Sequence, residues 1–361
     1  MSLDKFLSLI SDNKEELQFK AYEKRKSIHS NQITFSRNVF VPVTHQCRNH
    51  CGYCGFVNDD SSSWITSEGL QKIIIKAKKT SCSEVLLTLG EKPEEKYETA
   101  QKFLKNQNCS TTVDYVLRLC EIIVKQKLLP HSNLGIVSYE ELSKLKEYNA
   151  SLGLMLESTS TRMLEAGGPH QFSPGKDPIA RLKVIEDAGK LQIPFTTGIL
   201  VGIGENWEER IESLYSISNL SQKYNHIQEV IIQNFNPQKN TPMSNHPPPS
   251  DQDILLTISL SRLILPSNVS IQVPPNLTRS ILIDALNSGA NDLGGISPIT
   301  IDYINPNLAW HKERQLRNEL ERNNFTFRRR LPVYPTYERY LNSNLMRLVK
   351  EYHTNEEIIS T

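Results

Sequence analysis

Residues 44–56 read THQCRNHCGYCGF and place Cys47, Cys51 and Cys54 within eight residues, at the spacing C-x3-C-x2-C. A loop this short can wrap a cuboidal iron-sulfur cluster and offer one thiolate to each of three irons, and thiolates are the ligands such irons favour. The fourth iron of a 4Fe-4S cluster is then left without a protein ligand. Catalytic metal centres keep such a position open for a small molecule, and S-adenosylmethionine can fill it through its amino and carboxylate groups. One electron from the reduced cluster would cleave a carbon–sulfur bond and release a 5′-deoxyadenosyl radical able to abstract a substrate hydrogen. The cofactor carries that hard step, while the protein orients and shields it.

A structural zinc site is the competing chemistry. It would close with a fourth ligand, which here has to be His45 or His50, but C-x3-C is a poor zinc knuckle and no second cysteine pair follows. Three unligated structural cysteines are the other alternative. Cys82, Cys109 and Cys120 are widely and irregularly spaced and no cysteine follows Cys120, so they read as small buried hydrophobes rather than ligands of an auxiliary cluster.

Something must hold the thiol loop at the end of a strand, and the surrounding sequence supplies it. Apolar, β-branched runs at 39–43, 84–89, 134–137, 152–156, 195–200, 229–233, 269–273 and, more weakly, 290–293 alternate with stretches such as VDYVLRLCEIIVKQK and WEERIESLYSISNL that place apolar residues three or four apart. Eight strands with intervening helices predict a (β/α)8 TIM-type barrel, an α/β fold that builds its sites from the loops after the strands. The cysteine loop follows the first run directly. The expected organisation is an N-terminal leader over 1–37, the barrel over 38–301, and a C-terminal extension over 302–361 packed on the barrel. In that tail, Arg328, Arg329 and Arg330 read as a solvated or salt-bridged face. Residues 236–250, NPQKNTPMSNHPPPS, predict a stiff connector after the sixth strand.

With 38% hydrophobic and 22% charged residues and a mean hydropathy of -0.42, the chain reads as an ordinary globular protein. Its 41 basic and 40 acidic residues leave a net charge of +1, which gives no broad electrostatic footprint for nucleic acid or anionic lipid. The absence of a signal-peptide-like start and of any apolar run near 18 residues predicts no membrane and a cytoplasmic location. In that compartment clustered thiols more often bind metal than form disulfides.

Three further segments follow predicted strands, and with the cysteines they resemble the radical S-adenosylmethionine superfamily. LTLGEKPEE resembles the motif that grips the methionyl amino group, through Gly90 and Glu91, although Leu89 replaces its first glycine. GLMLESTS ends a strand at Glu157, which could accept hydrogen bonds from ribose hydroxyls. GILVGIGE resembles G-x-I-x-G-x-x-E, and Gly198 and Gly202 would let adenine approach the backbone. Tyr53, before the third cysteine, would add its backbone to the adenine edge.

Within that superfamily, NVFVPVTHQCRNHCGYCGF, HIQEVIIQNFNPQKNTPM and ANDLGGISPIT resemble the CofG-type subunit of FO synthase, FO being 7,8-didemethyl-8-hydroxy-5-deazariboflavin. The resemblance implies a radical lyase that takes the 5-amino-5-(4-hydroxybenzyl)-6-(D-ribitylimino)-5,6-dihydrouracil adduct from a CofH-type subunit. It implies ring closure and loss of ammonia, with a one-electron donor of ferredoxin or flavodoxin type. The length and single cysteine motif predict the unfused form. A uracil edge, a polyol and a phenol call for paired donors and acceptors at the barrel mouth. Gln233, Asn234 and Asn291 are the candidates for substrate binding, and Asp292, His226 or a tail tyrosine for a proton relay. The alternatives are the tyrosine–uracil coupling subunit, a menaquinone-pathway enzyme, or a metal-binding protein without catalysis.

Overall fold

A computed structural model describes residues 2–59 and 63–355. Eight parallel strands, β1 (Gln32–Pro42), β2 (Glu84–Thr88), β3 (Leu129–Asn133), β4 (Ser151–Gly153), β5 (Phe195–Val201), β6 (Ile227–Asn234), β7 (Ser270–Gln272) and β8 (Asp292–Ile296), follow one another round the sheet. The ring closes because β1 pairs with both β8 and β2. This is the (β/α)8 barrel that the alternation of strand and helix runs predicts.

The pleat explains the sequence of β1. Ile33, Phe35, Val39 and Val41 are fully buried in the hydrophobic core, while the intervening Ser36 and Asn38 are buried polar residues, as strand alternation requires. The surrounding helices start at side-chain caps legible in the sequence. Thr111 with Asp114, Asn206 with Glu209, and Ser250 with Asp253 each form a reciprocal capping box.

Three expectations need correction. The apolar run 134–137 is not a strand. The third strand is the preceding, polar LPHSN, and the chain turns at Gly135, whose φ is +85°. Leu134 and Val137 bury themselves instead in the loop above it. The boundary at residue 37 falls inside β1, which begins at Gln32. The C-terminal extension, read as lying beyond the barrel from 302, also adds a strand to the barrel sheet. A helix at Glu313–Arg322 leads into a ninth strand, β9 (Thr326–Arg330), which pairs in parallel with Gln32–Ser36 of β1 below the point where β1 meets β2.

Beyond β9, Leu331, Val333, Tyr337, Leu345, Leu348 and Val349 pack against Leu129 and Ala150 at the starts of β3 and β4. The Tyr337 hydroxyl donates to Ile227 O at 2.8 Å, and Gln228 Nε2 to Pro332 O at 2.8 Å. The tail therefore plugs the N-terminal end of the barrel and leaves the C-terminal end for ligands. The leader helices Leu3–Asp12 and Lys14–His29 bury Phe6, Leu9, Ile10 and Leu17 in the main core, and the second packs along the Asp251–Ile264 helix. No helix among the described residues is long and apolar enough to cross a membrane.

Candidate active site

One cavity of ≈ 360 Å³ runs from the cysteine loop down the barrel axis. Cys47, Cys51 and Cys54 line its upper wall, all as free thiols. Cys47 Sγ accepts from the Glu91 and Asn49 amides at 3.1 and 3.4 Å, and Cys51 Sγ from Ser173 Oγ at 3.3 Å. Burial raises the Cys47 thiol against the pull of those amides, and burial with the nearby Cys51 charge pushes Cys54 up to about 11. A metal centre here must therefore displace protons on binding. No three His, Cys, Asp or Glu side chains among the described residues are gathered closely enough to hold a single metal ion. Three thiols spread round one loop suit a cluster whose separate irons each take one, and hydrogen bonds to sulfur are a usual tuning device for such clusters. The histidines a zinc site would need are engaged elsewhere: His45 Nδ1 lies 2.8 Å from Phe56 O, and His50 Nε2 contacts Lys96.

The loop after β2 clamps the cysteine loop through its backbone. Gly90 N donates to Thr44 O at 3.1 Å and Arg48 N to Glu91 O at 2.9 Å. A Cβ on Gly90 would overlap the Gln46 carbonyl, so only glycine permits this approach. The Glu91 carboxylate, expected to meet an ammonium, is instead held by Arg48 Nε at 2.9 Å and lies 3.8 Å from Arg181 Nη1. Gly135 and Gly175 leave the room for it.

Gly90 and Glu91 nonetheless line the cavity, and so does Glu157. It adopts a left-handed backbone (φ 65°), rare for a residue other than glycine, and bridges β5 through Gly198 O and Leu200 N. Burial alone would raise its carboxyl, but the charges of Lys176, 2.5 Å away, and Arg181 outweigh that and hold it ionised. Tyr53 lines the same wall, its hydroxyl 3.0 Å from His170 Nε2. Burial and the Lys176 charge lower His170 to about 3, so its ring is neutral. Gly198 and Gly202 do not line the cavity. A Cβ at 198 would overlap the carbonyl of Ile231, its partner on β6, and one at 202, where φ is +96°, would meet Pro249. Leu200, between them, forms the wall.

Of the predicted substrate residues, Gln233 and Asn234 line the cavity and Asn291 does not. Asn291 Oδ1 accepts from Arg262 Nη2 at 2.6 Å and from Ile271 N at 2.9 Å, which ties β7 to β8. His226 is also misplaced as a proton relay: it is fully buried outside the cavity wall, with Nε2 2.9 Å from Ile185 O. Asp292 is 0% exposed and locked to Arg330, with Nε–Oδ2 and Nη2–Oδ1 at 2.6 and 2.8 Å. Burial would raise Asp292, yet Arg330 and Thr34 pull it down, so it is a fixed anion rather than a proton carrier. Arg330 Nη2 also reaches Glu229 Oε1 at 2.5 Å. Burial and the neighbouring Asp292 charge push Glu229 up to about 8 despite that arginine.

A sequence profile of the Radical SAM superfamily matches residues 41–215. The chain is 46% identical over 330 residues to 7,8-didemethyl-8-hydroxy-5-deazariboflavin synthase of Methanopyrus kandleri, covering 90% of this chain and 98% of that one. Proteins of the same name from Archaeoglobus fulgidus and Methanosarcina barkeri are 48% and 49% identical, over 84% and 85% of this chain and 91% and 92% of theirs. The chain belongs to the 7,8-didemethyl-8-hydroxy-5-deazariboflavin (FO) synthase family. Among solved structures, methylornithine synthase (PylB) superposes with a TM-score of 0.71 at 21% identity, covering 90% of this chain and 93% of that one. HydG, a maturase of the [FeFe]-hydrogenase, gives 0.75 at 18% identity over 97% and 77%. These two share the fold.

Sequence reasoning missed the lower wall of this FO synthase cavity. Asn38, Glu84, His131, Asn133 and Arg330 all line it, and Asn38 Oδ1, His131 Nε2, Asn133 Oδ1 and Asn234 Oδ1 are buried without a hydrogen-bond partner among the described residues. The available signal was polar residues on strand faces, in LPHSN above all, which is an odd strand for a barrel usually packed inside with branched apolar side chains. The tail was missed at the mouth too. Trp310, Asp302 and Asn305 line the cavity, and Gln238 of the 236–250 loop donates to Asn305 Oδ1 at 3.1 Å. Met243 N of that loop donates to Gly52 O at 2.9 Å, so this segment covers the cysteine loop instead of merely connecting elements.

Proposed function

We propose that the protein is a radical lyase that forms FO from the tyrosine–uracil adduct supplied by a CofH-type partner. The observation that carries the reading is the joining of three free thiols, Cys47 and Cys51 buried and Cys54 half-buried, to a wall of unpartnered amide and imidazole groups within one cavity. It is supported by 42–49% identity to FO synthases over most of the chain. Cys47, Cys51 and Cys54 would hold a 4Fe-4S cluster, and S-adenosylmethionine would lie between the loops after β1 and β2 and Glu157. Bound there, the pair supplies hydrogen-atom abstraction through a 5′-deoxyadenosyl radical.

The chain's own part is to bind, orient and exclude water. Gly90 holds the two loops together, Glu157 presents an ionised carboxylate to hydroxyls, and Leu200 and Tyr53 form an apolar wall suited to a purine. Asn38, Asn133, Gln233 and Asn234 offer the paired donors and acceptors that a uracil edge and a polyol require. A buried amide oxygen left unpaired costs roughly 1–3 kcal/mol, so a ligand that satisfies several of these atoms gains affinity and register together. A small one-electron donor and a cytoplasmic location complete the reading.

The test is anaerobic. Reconstituted protein, reductant, S-adenosylmethionine and the adduct are assayed by mass spectrometry for 5′-deoxyadenosine and FO. Both products are expected. Deoxyadenosine without FO would reject this substrate, and neither product from iron-loaded protein would reject the radical chemistry.

A further inference from the structure

The reaction expels ammonia, so a group in the cavity must deliver a proton to nitrogen, and of the candidates the sequence offered, Asp292, His226 and a tail tyrosine, the first two are not placed to do it. Among the described residues, His131 is the one histidine in the cavity wall. It lies on β3, 7% exposed, with Nδ1 3.3 Å from Glu84 Oε1 on the adjacent β2. Ser36 Oγ on β1 bonds the other Glu84 oxygen. That leaves Nε2 buried and without a partner. Gly153 on β4 opens the space in front of it, because a Cβ there would approach Nε2 to 3.1 Å and overlap Asn133 Oδ1. A carboxylate on one ring nitrogen fixes the tautomer and orientation of the other, which is the arrangement general acid–base catalysis uses.

We propose that His131, oriented by Glu84, is the catalytic acid–base residue for ammonia loss, an inference that rests on the FO reading. In the step, the carbon–nitrogen bond breaks with its electron pair on nitrogen, which takes the Nε2 proton and leaves as ammonia. The neutral imidazole then takes the proton from the neighbouring carbon, whose C–H electron pair becomes the new C=C bond of the aromatic tricycle. The imidazolium is restored, and no oxidant or reductant enters this step. Glu84 is a positioning residue. The other charged groups near the dyad are Glu229 on β6, Asp292 on β8 and Arg330 on β9, and the last of these is tied to both carboxylates.

The experiment compares wild type with H131Q in the anaerobic assay, together with iron content. H131Q should keep its iron and its deoxyadenosine formation while FO falls by about 100-fold or more, and a species heavier than FO by one ammonia should accumulate. FO from H131Q at the wild-type yield per deoxyadenosine overturns the assignment. Wild type that makes deoxyadenosine but no FO overturns the FO reading, and this inference with it. If Gln at 131 strips the iron, E84Q decides. Loss of the carboxylate leaves the ring unoriented, so FO per deoxyadenosine should fall and the ammonia-bearing species should accumulate, with iron content and deoxyadenosine formation unchanged and partial recovery in E84D. FO per deoxyadenosine from E84Q equal to that of wild type overturns the assignment.

Discussion

The mouth and the floor of this barrel are both polar and both lined by buried ionisable groups, but they are built in opposite ways. At the mouth, three cysteines come from one eight-residue stretch, and the neighbouring loop holds them with backbone hydrogen bonds and a glycine that no other residue can replace. At the floor, Thr34, Glu229, Asp292 and Arg330 come from four strands spread over nearly 300 residues, and side-chain ion pairs and a hydrogen bond hold them together. A site assembled by short-range sequence can survive the loss of distant contacts, whereas a site assembled by ion pairs depends on every partner being present. Under the proposed function this is a division of labour: the mouth would carry the metal chemistry, and the floor would fix the far end of the substrate.

The largest break in this comparison is at the mouth. Cys51→Ala should abolish both deoxyadenosine and FO formation and strip iron from the protein. Full turnover by this variant would sink the radical reading.

Next comes the floor. Arg330→Leu leaves Asp292 and Glu229 buried beside each other without their cation, so the free energy of unfolding should drop by about 3–5 kcal/mol in a denaturant titration. A drop under about 1 kcal/mol would mean that the arginine does not hold the floor.

Gly90→Ala is the corresponding packing test at the mouth. The added methyl must push the cysteine loop off the Gln46 carbonyl, for a loss of about 1–3 kcal/mol. Iron occupancy after reconstitution should fall with it, and unaltered occupancy would show that the two loops can separate without consequence.

The smallest effect is a pH dependence peculiar to the floor. Glu229 holds its proton more tightly in the fold than in the unfolded chain, so its contribution is present below the ordinary carboxylate value and is lost as pH rises towards about 8. The thermal midpoint should decline over that window, and Glu229→Gln should flatten the decline. Asp292 works in the opposite sense: its contribution is present above its ordinary value and lost as pH falls below it. A Glu229→Gln variant that declines as steeply as wild type would remove Glu229 as the cause.

Local signals carried some of these features. The C-x3-C-x2-C spacing needs no fold to bring its thiols within one cluster's reach, and the capping boxes and apolar periods mark helices from contacts three or four residues apart. Gly90 was noticed only as part of a motif expected to grip an amino group; its close approach to the Gln46 carbonyl was not legible. Gly198 and Gly202 show the limit: both were noticed, but the packing of Ile231 and Pro249 against them was not legible. Likewise the run 134–137 looked more like a strand than LPHSN, because burial on the barrel axis favours polar residues here and reverses the usual hydrophobic cue.

By itself, then, the sequence determined the barrel class, the thiol loop and the identity of the chemistry it can support, since each depends on residues close together along the chain. Only the tertiary structure decided that Arg330 of an apparent surface run lies inside the barrel against Asp292 and Glu229, that Glu91 answers to arginines, and that His131 rather than His226 or Asp292 presents a free ring nitrogen to the cavity. Those outcomes depend on which strands become neighbours when the sheet closes and on which face each side chain takes, and no local pattern encodes the partner across the barrel.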